Sequence, residues 1–217
     1  MCIETINRRR QIFFKFNLNI PYELDLIPFP KQSKKIPSCY TFDEVTKLFT
    51  NASNLKHKTI LILTYSSGLR VSEVVNLKFD DIIRDKMLLK IRQGKGDKDR
   101  YAILSKIALK YLEKYWKTYH PKNWLFTGYN NKQLSIRACQ HSYEIAKKNA
   151  GITKRGGIHT LRHSFATHFL ETGGGIFQLQ KFMGHKQLRT TLKYVHLQEE
   201  KVIARSPLDV YCETNGK

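Results

Sequence analysis

Apolar residues recur at helical spacing along most of the chain, with one stretch of a different period in the middle. Val45, Leu48 and Phe49 share one face behind Thr41-Phe-Asp-Glu44. That motif is a capping box, whose hydroxyl and carboxylate satisfy free N–H groups at a helix start. A second helix is predicted from about Leu55 to Ser66, stopping near Gly68, and a short third one over Val71–Leu77. Between Asp80 and Leu104 the period changes. Met87–Ile91 and Arg100–Leu104 read as strands, joined by the polar, glycine-containing turn Gln93–Asp99. Ser105 caps a helix running to about Tyr119, and Ser135 caps another that ends at Gly151. Thr160–Glu171 is predicted helical and is closed by Gly173-Gly-Gly175. Ile176–Met183 and Arg189–Val195 complete the pattern as two short helices. The sum is a mainly α fold with a small antiparallel β-sheet and no internal repeat.

Residues 1–36 follow another rule. Arg8-Arg-Arg10, Ile12-Phe-Phe14 and Phe16 predict one basic, amphipathic helix. Pro21, Pro28, Pro30 and Pro37 then interrupt regular structure repeatedly. This region is expected to be an N-terminal arm and linker, and residues 37–217 the compact domain.

Composition narrows the partner. The 12 Phe and 11 Tyr among 217 residues suffice for a real core. Lys and Arg number 38 against 18 Asp and Glu, a net charge of +20. So large and dispersed an excess predicts a polyanionic partner bound with steep salt dependence. No apolar run approaches the ~20 residues that cross a bilayer, so no membrane role is expected. Cys2, Cys39, Cys139 and Cys212 are scattered without a CxxC pair, against a zinc site or a disulfide-built scaffold. No signal-peptide pattern opens the chain, and a reducing cytoplasm fits best.

The chemistry sits in a few residues. His159-Thr-Leu-Arg162-His163, Gly184-His185 and Tyr194 lie in one C-terminal block; Arg70 stands upstream in Ser66-Ser-Gly-Leu-Arg70-Val-Ser-Glu73. Arginine suits the non-bridging oxygens of a phosphodiester, since its planar fork stays charged and makes two parallel bonds. Arg70 follows Gly68 at a helix start, where free N–H groups are expected to add to an anion site. A phenol of pKa about 10 needs a base or positive surroundings to attack. Tyr194 is expected on a short helix nine residues after His185. His159 and Arg162, three apart, face one ligand, and His163, on the neighbouring face, is expected to pack or bond within the domain. Lys95, between Gly94 and Gly96 at a hairpin tip, can reach a leaving 5′-oxygen as general acid; the alternative is an ordinary solvated lysine. His159, His163 and His168 lack the HExxH pattern or acidic neighbours of a metal site, and no GxxxxGK[ST] loop occurs. Neither metal nor cofactor is expected.

Five segments carry a resemblance. Tyr65-Ser-Ser-Gly-Leu-Arg70-Val-Ser-Glu73 comes first, then Gly94-Lys-Gly-Asp-Lys-Asp-Arg100. His159-Thr-Leu-Arg162-His163-Ser-Phe-Ala-Thr167, Met183-Gly-His185 and Thr190-Thr-Leu-Lys-Tyr194-Val-His196 follow in order. Across roughly residues 40–200 the chain resembles the catalytic domain of tyrosine recombinases, the phage integrases, especially their Xer-like branch and integron or transposon relatives. The resemblance implies that fold and DNA cleavage and rejoining through a 3′-phosphotyrosyl intermediate. It implies Arg70 and Arg162 as the phosphate clamp, Lys95 as the acid for the leaving 5′-hydroxyl and His159 as the acceptor of the tyrosine proton. His185 would bond a non-bridging oxygen, Tyr194 would be the nucleophile, and Glu73 and His163 would support the site from behind. The implied partners are double-stranded DNA and other recombinase protomers in a tetrameric synapse, in a cytoplasmic, nucleoid-associated setting. Family members carry an N-terminal helical core-binding domain, of which Ile6–Phe16 corresponds to a remnant of the last helix. A truncated, non-catalytic DNA-binding protein derived from a recombinase is the alternative, and a relaxing enzyme of the type IB topoisomerase kind a third reading.

Overall fold

The computed structural model describes residues 38–92 and 99–195. The predicted arm and linker, the turn holding Lys95 and the segment after Val195 lie outside the described residues. Helix α1 spans Phe42–Thr50, α2 Leu55–Ser66 and α3 Val71–Val75. A 3-10 turn, Phe79–Asp81, leads to strands β1 (Ile82–Ile83), β2 (Leu88–Ile91) and β3 (Arg100–Ile103). Helix α4 is Lys106–Tyr119, α5 Ile136–Asn149, α6 His159–Glu171, α7 Ile176–Met183 and α8 Leu188–Leu192.

The caps form where the sequence puts them. Thr41 Oγ1 accepts from the Glu44 amide at 3.2 Å, and the Glu44 carboxylate accepts from the Thr41 amide at 2.8 Å. Ser105 and Ser135 accept from the Ala108 and Ala138 amides at 3.0 and 3.1 Å. Each such cap contributes about 1 kcal/mol. Asn54, which the pattern did not single out, caps α2 by accepting from the His57 amide at 2.8 Å.

Helix α2 runs through the centre of the domain. Thr59 to Thr64 are all buried, which explains a run apolar on every side rather than along one stripe. Helices α1, α3, α4, α5 and α6 pack around it. Burying each Ile or Leu there stabilises the fold by roughly 1.5–3 kcal/mol. A smaller cluster of Phe165, Ala166, Leu179, Met183 and Tyr194 forms beside α6 and α7.

The sheet is antiparallel in the order β1-β2-β3, with Leu89 opposite Ala102 and Ile91 opposite Arg100. The sequence pattern predicts two of these strands; β1 has only two residues and shows no alternation. Two helices are shorter than expected. Helix α3 stops at Val75, and the Leu77 carbonyl accepts from the Leu125 amide at 2.8 Å instead of continuing a helical ladder. Helix α8 stops at Leu192 after two β-branched threonines, poor helix formers. Tyr194 therefore lies in the turn beyond the helix, not on it.

Candidate active site

Arg70 is set by a tight turn after α2. Gly68 has φ +59°, and a Cβ there would lie 2.3 Å from Phe165 Cδ1, so only glycine fits. Its carbonyl accepts from Arg162 Nη1 at 2.5 Å, which ties the turn to α6. Arg70 occupies the N-cap position of α3 and makes no side-chain cap bond of its own. The Glu73 carboxylate takes both the Arg70 amide and Arg70 Nη1, each at 2.7 Å. The expected free N–H at this helix start is thus partly consumed: a carboxylate three residues on reaches back and occupies it.

Glu73 is the centre of the cluster and is 8% exposed. Besides Arg70 it receives Arg100 Nη2 at 2.8 Å and faces Arg162 Nη1 at 3.7 Å. Burial alone would raise its pKa, but Arg100, the Arg70 amide, Arg162 and Arg70 outweigh it and hold the carboxyl below its ordinary value. Arg162, 5% exposed, also donates from Nη2 to the Met183 carbonyl at 2.6 Å. Burial, then the neighbouring Arg70, lowers its guanidinium to about 10.

His185 follows Gly184, the left-handed residue closing α7. Its Nε2 is 3.4 Å from Arg162 Nη2 and its Nδ1 is 2.9 Å from Thr191 Oγ1. Arginine only donates, so Nε2 accepts and Nδ1–H donates to the threonine. Burial and then Arg162, Arg70 and Arg100 lower His185 to about 4. His159, exposed at the first position of α6, has its pKa lowered by desolvation and by Arg162 and Arg70. It is exposed one turn ahead of buried Arg162 on the same helix.

Tyr194 is 5% exposed. Its hydroxyl is 2.9 Å from His163 Nδ1, and its ring stacks on His185 at 6.4 Å between centroids. Burial raises its pKa although Arg162 and Arg70 oppose this. His163, its own pKa lowered by burial first, bonds within the domain as expected, but to the tyrosine rather than to scaffold. His168 points elsewhere: its Nδ1 is 2.7 Å from the Tyr65 hydroxyl and its ring stacks on Phe42. Among the described residues no group of three or more His, Cys, Asp or Glu could hold a metal, and no helix is long and apolar enough to cross a membrane.

Arg70, Arg162, His159, His185, Glu73, His163 and Tyr194 therefore converge; Lys95 lies outside the described residues. Two participants escaped the sequence reading. Thr191, which holds His185, carries no signal beyond its type. Arg100 does carry one: it sits two residues from inward-facing Ala102 and opposite buried Ile91, so its strand register sends a charge into the core.

A sequence profile of the phage integrase family matches residues 39–201. The chain belongs to this family. The chain is 39% identical over 197 residues to tyrosine recombinase XerA of Pyrococcus horikoshii, covering 86% of itself and 68% of that protein. It is 33% identical over 192 residues to tyrosine recombinase XerD of Staphylococcus saprophyticus, covering 82% of itself and 64% of that protein. It thus spans about two thirds of the length of these curated relatives. Among solved structures, XerH site-specific recombinase bound to a palindromic difH substrate in a post-cleavage complex aligns with TM-score 0.71 and 25% identity. That alignment covers 85% of this chain and 58% of the other. The fold described here, helices packed around a central helix with one small antiparallel sheet, is the tyrosine recombinase catalytic-domain fold.

Proposed function

We propose that this chain cleaves and rejoins double-stranded DNA at specific sites through a 3′-phosphotyrosyl intermediate, with residues 37–217 as the catalytic domain. One observation carries the reading: three guanidinium groups gather around one buried carboxylate, and a buried tyrosine stacks on His185, which is 3.4 Å from one of those guanidiniums. Three positive charges against one leave two uncompensated. A phosphodiester supplies one negative charge, and the five-coordinate phosphorus formed on attack carries two. Charge fixed in advance therefore matches the transition state better than the ground state.

Arg70 and Arg162 take the non-bridging oxygens, each already held by a carboxylate or carbonyl and so ordered before substrate arrives. His185 adds a bond to one of these oxygens. Its low pKa keeps it neutral at pH 7, so it donates there only after its Nε2 carries the proton that Nδ1 now gives to Thr191. The Tyr194 oxygen attacks phosphorus as the bond to the 5′-oxygen breaks. The phenolic proton passes to His159, and Lys95 protonates the departing 5′-oxygen. Attack by a 5′-hydroxyl reverses the step and restores the tyrosine, so no outside energy source is consumed. The bond from Tyr194 to His163 describes the nucleophile before DNA binds, held away from solvent.

The net charge of +20 supports DNA as partner, and the XerH complex shows one relative on such a substrate. Assembly with further recombinase protomers into a tetrameric synapse, and a cytoplasmic, nucleoid-associated location, follow from the same reading. A test needs a cognate site, recovered by retaining duplexes from a random-sequence pool on the full chain. A duplex carrying that site, nicked beside the scissile phosphate so that the freed piece diffuses away, should trap a covalent adduct on a denaturing gel. Tyr194→Phe should give none. An adduct of equal yield in Tyr194→Phe overturns the assignment.

A further inference from the structure

Arg100 makes no bond to the phosphate in the chemistry above and adds only its charge, yet it is held as firmly as the arginines of the clamp. It is 11% exposed in its side chain, on β3. Nη2 donates to Glu73 Oε2 at 2.8 Å, and Nη1 donates to the Phe182 carbonyl. That carbonyl belongs to the last turn of α7, whose unpaired carbonyl ends favour a cation. The aliphatic stem lies against Gly184, where a Cβ would come within 2.4 Å of Arg100 Cδ. One side chain thus touches the carboxylate shared by Arg70 and Arg162 and the turn that delivers His185. About nine tenths of the side chain is covered by these contacts and by the neighbouring packing.

We infer that Arg100 is a positioning residue: it fixes the Glu73 carboxylate and the α7–His185 turn relative to each other, so that Arg70, Arg162 and His185 meet one phosphate in register. Each of its contacts is specific to a forked cation. Glu73 offers two oxygens. Arg70 occupies both, through its amide on Oε2 and its guanidinium on Oε1. Arg100 adds a second bond to Oε2 that prevents the carboxylate from rotating toward Arg70 alone. Without it, Glu73 could swing by a rotamer, and Arg162, 3.7 Å away, would lose its counter-charge. Lysine restores the charge but not the planar fork that spans Glu73 and Phe182 together.

This inference rests on the proposed strand-transfer reading, and the experiment separates the two. Arg100→Met and Arg100→Lys are made in the full chain and melted to verify folding. Single-turnover cleavage is then measured at saturating concentration on the nicked duplex described above, along with the dissociation constant for that duplex. A second duplex carries a methylphosphonate at the scissile position, which removes one non-bridging oxygen and its charge. Arg100→Met should cut the cleavage rate by about 100-fold, the scale of a lost preorganised donor, with duplex affinity within about 3-fold because the side chain is nearly all covered by protein. Arg100→Lys should recover part of the loss. On the methylphosphonate the deficit should shrink to about 10-fold or less, because the clamp that Arg100 positions has less charge to hold. Equal deficits on both duplexes, or cleavage at the wild-type rate in either variant, overturn the inference. Where Arg100→Met does not fold, Arg100→Lys carries the same comparison. An inactive wild-type chain on its selected duplex overturns the strand-transfer reading instead.

Discussion

The two halves of the site are built differently. Arg70, Glu73, Arg100 and Arg162 are anchored to one another, to backbone carbonyls of Gly68, Phe182 and Met183, and to elements of the main core. Tyr194 belongs instead to the small cluster with Phe165, Ala166, Leu179 and Met183, past the end of a five-residue helix, with its hydroxyl on His163. The charged half is fixed several times over, and the nucleophilic half rests on a little packing and a side-chain hydrogen bond. The division suits the chemistry. A clamp gains from having its dipoles set before charge develops, whereas a nucleophile that must reach phosphorus only when DNA is present gains from a cheap release.

The sharpest way to break this comparison is at Glu73. Glu73→Ala leaves three guanidiniums facing one another with no counter-charge in a buried setting. Removing one partner of such a buried network costs about 3–5 kcal/mol. Urea unfolding of the full chain should therefore show the largest loss of any single site substitution. A loss within the error of the measurement would mean that the cluster is solvated and not fixed.

Next comes Gly68→Ala. The left-handed backbone and the contact with Phe165 both oppose a Cβ, and the turn holds Arg162. Together these effects amount to about 3 kcal/mol. The loss should be accompanied by weaker single-turnover cleavage, because the Gly68 carbonyl no longer sits under Arg162.

The helices, their caps and the small sheet were legible in the sequence because each rests on local chemistry. Thr41, Ser105 and Ser135 each offer a short side-chain acceptor just ahead of an apolar-periodic run, and period separates Leu88–Ile91 from α2. The ordered motifs also carried the residues that the structure gathers, Arg70, Glu73, His159, Arg162, His163, His185 and Tyr194, while Lys95 lies outside the described residues. What escaped was set by tertiary packing. Tyr194, in the turn past α8, packs into the cluster with Leu179 and Met183, a contact that local propensity cannot foresee. His163 was placed behind the site, but its bond to Tyr194 depends on that same packing. Arg100 lay inside a quoted motif, yet its role appears only once β3 is registered against β2 and α7 is laid across it.

Acid should probe the boundary between the two halves. His185 stands at about 4 in the folded chain against about 6.5 unfolded. Below pH 6.5 the unfolded chain takes up a proton that the folded chain refuses, so stability is complete above that pH and falls as the pH drops toward 4. His163 and His159 shift in the same direction. Discounted for partial solvent screening, the loss due to His185 is about 2 kcal/mol. His185→Gln should flatten the slope of unfolding free energy between pH 6.5 and 4. An unchanged slope would assign the acid sensitivity to His163, on the tyrosine side, and to exposed His159.

The smallest expected effect is the most telling about the nucleophile. Tyr194→Phe keeps the ring in the cluster with Phe165 and Met183 and its stacking on His185, and it removes only the hydroxyl from His163. Loss of one such hydrogen bond costs about 1 kcal/mol. The variant that should abolish the covalent adduct should therefore melt within a few degrees of the unmodified chain. Hydrogen exchange of the amides of residues 191–195 should quicken, while that of α2 stays unchanged. A cost near that of Glu73→Ala would show that the tyrosine is as deeply fixed as the arginines. The nucleophile would then not be the loosely held half, and its approach to phosphorus would require movement of α6 and α7 rather than release of one turn.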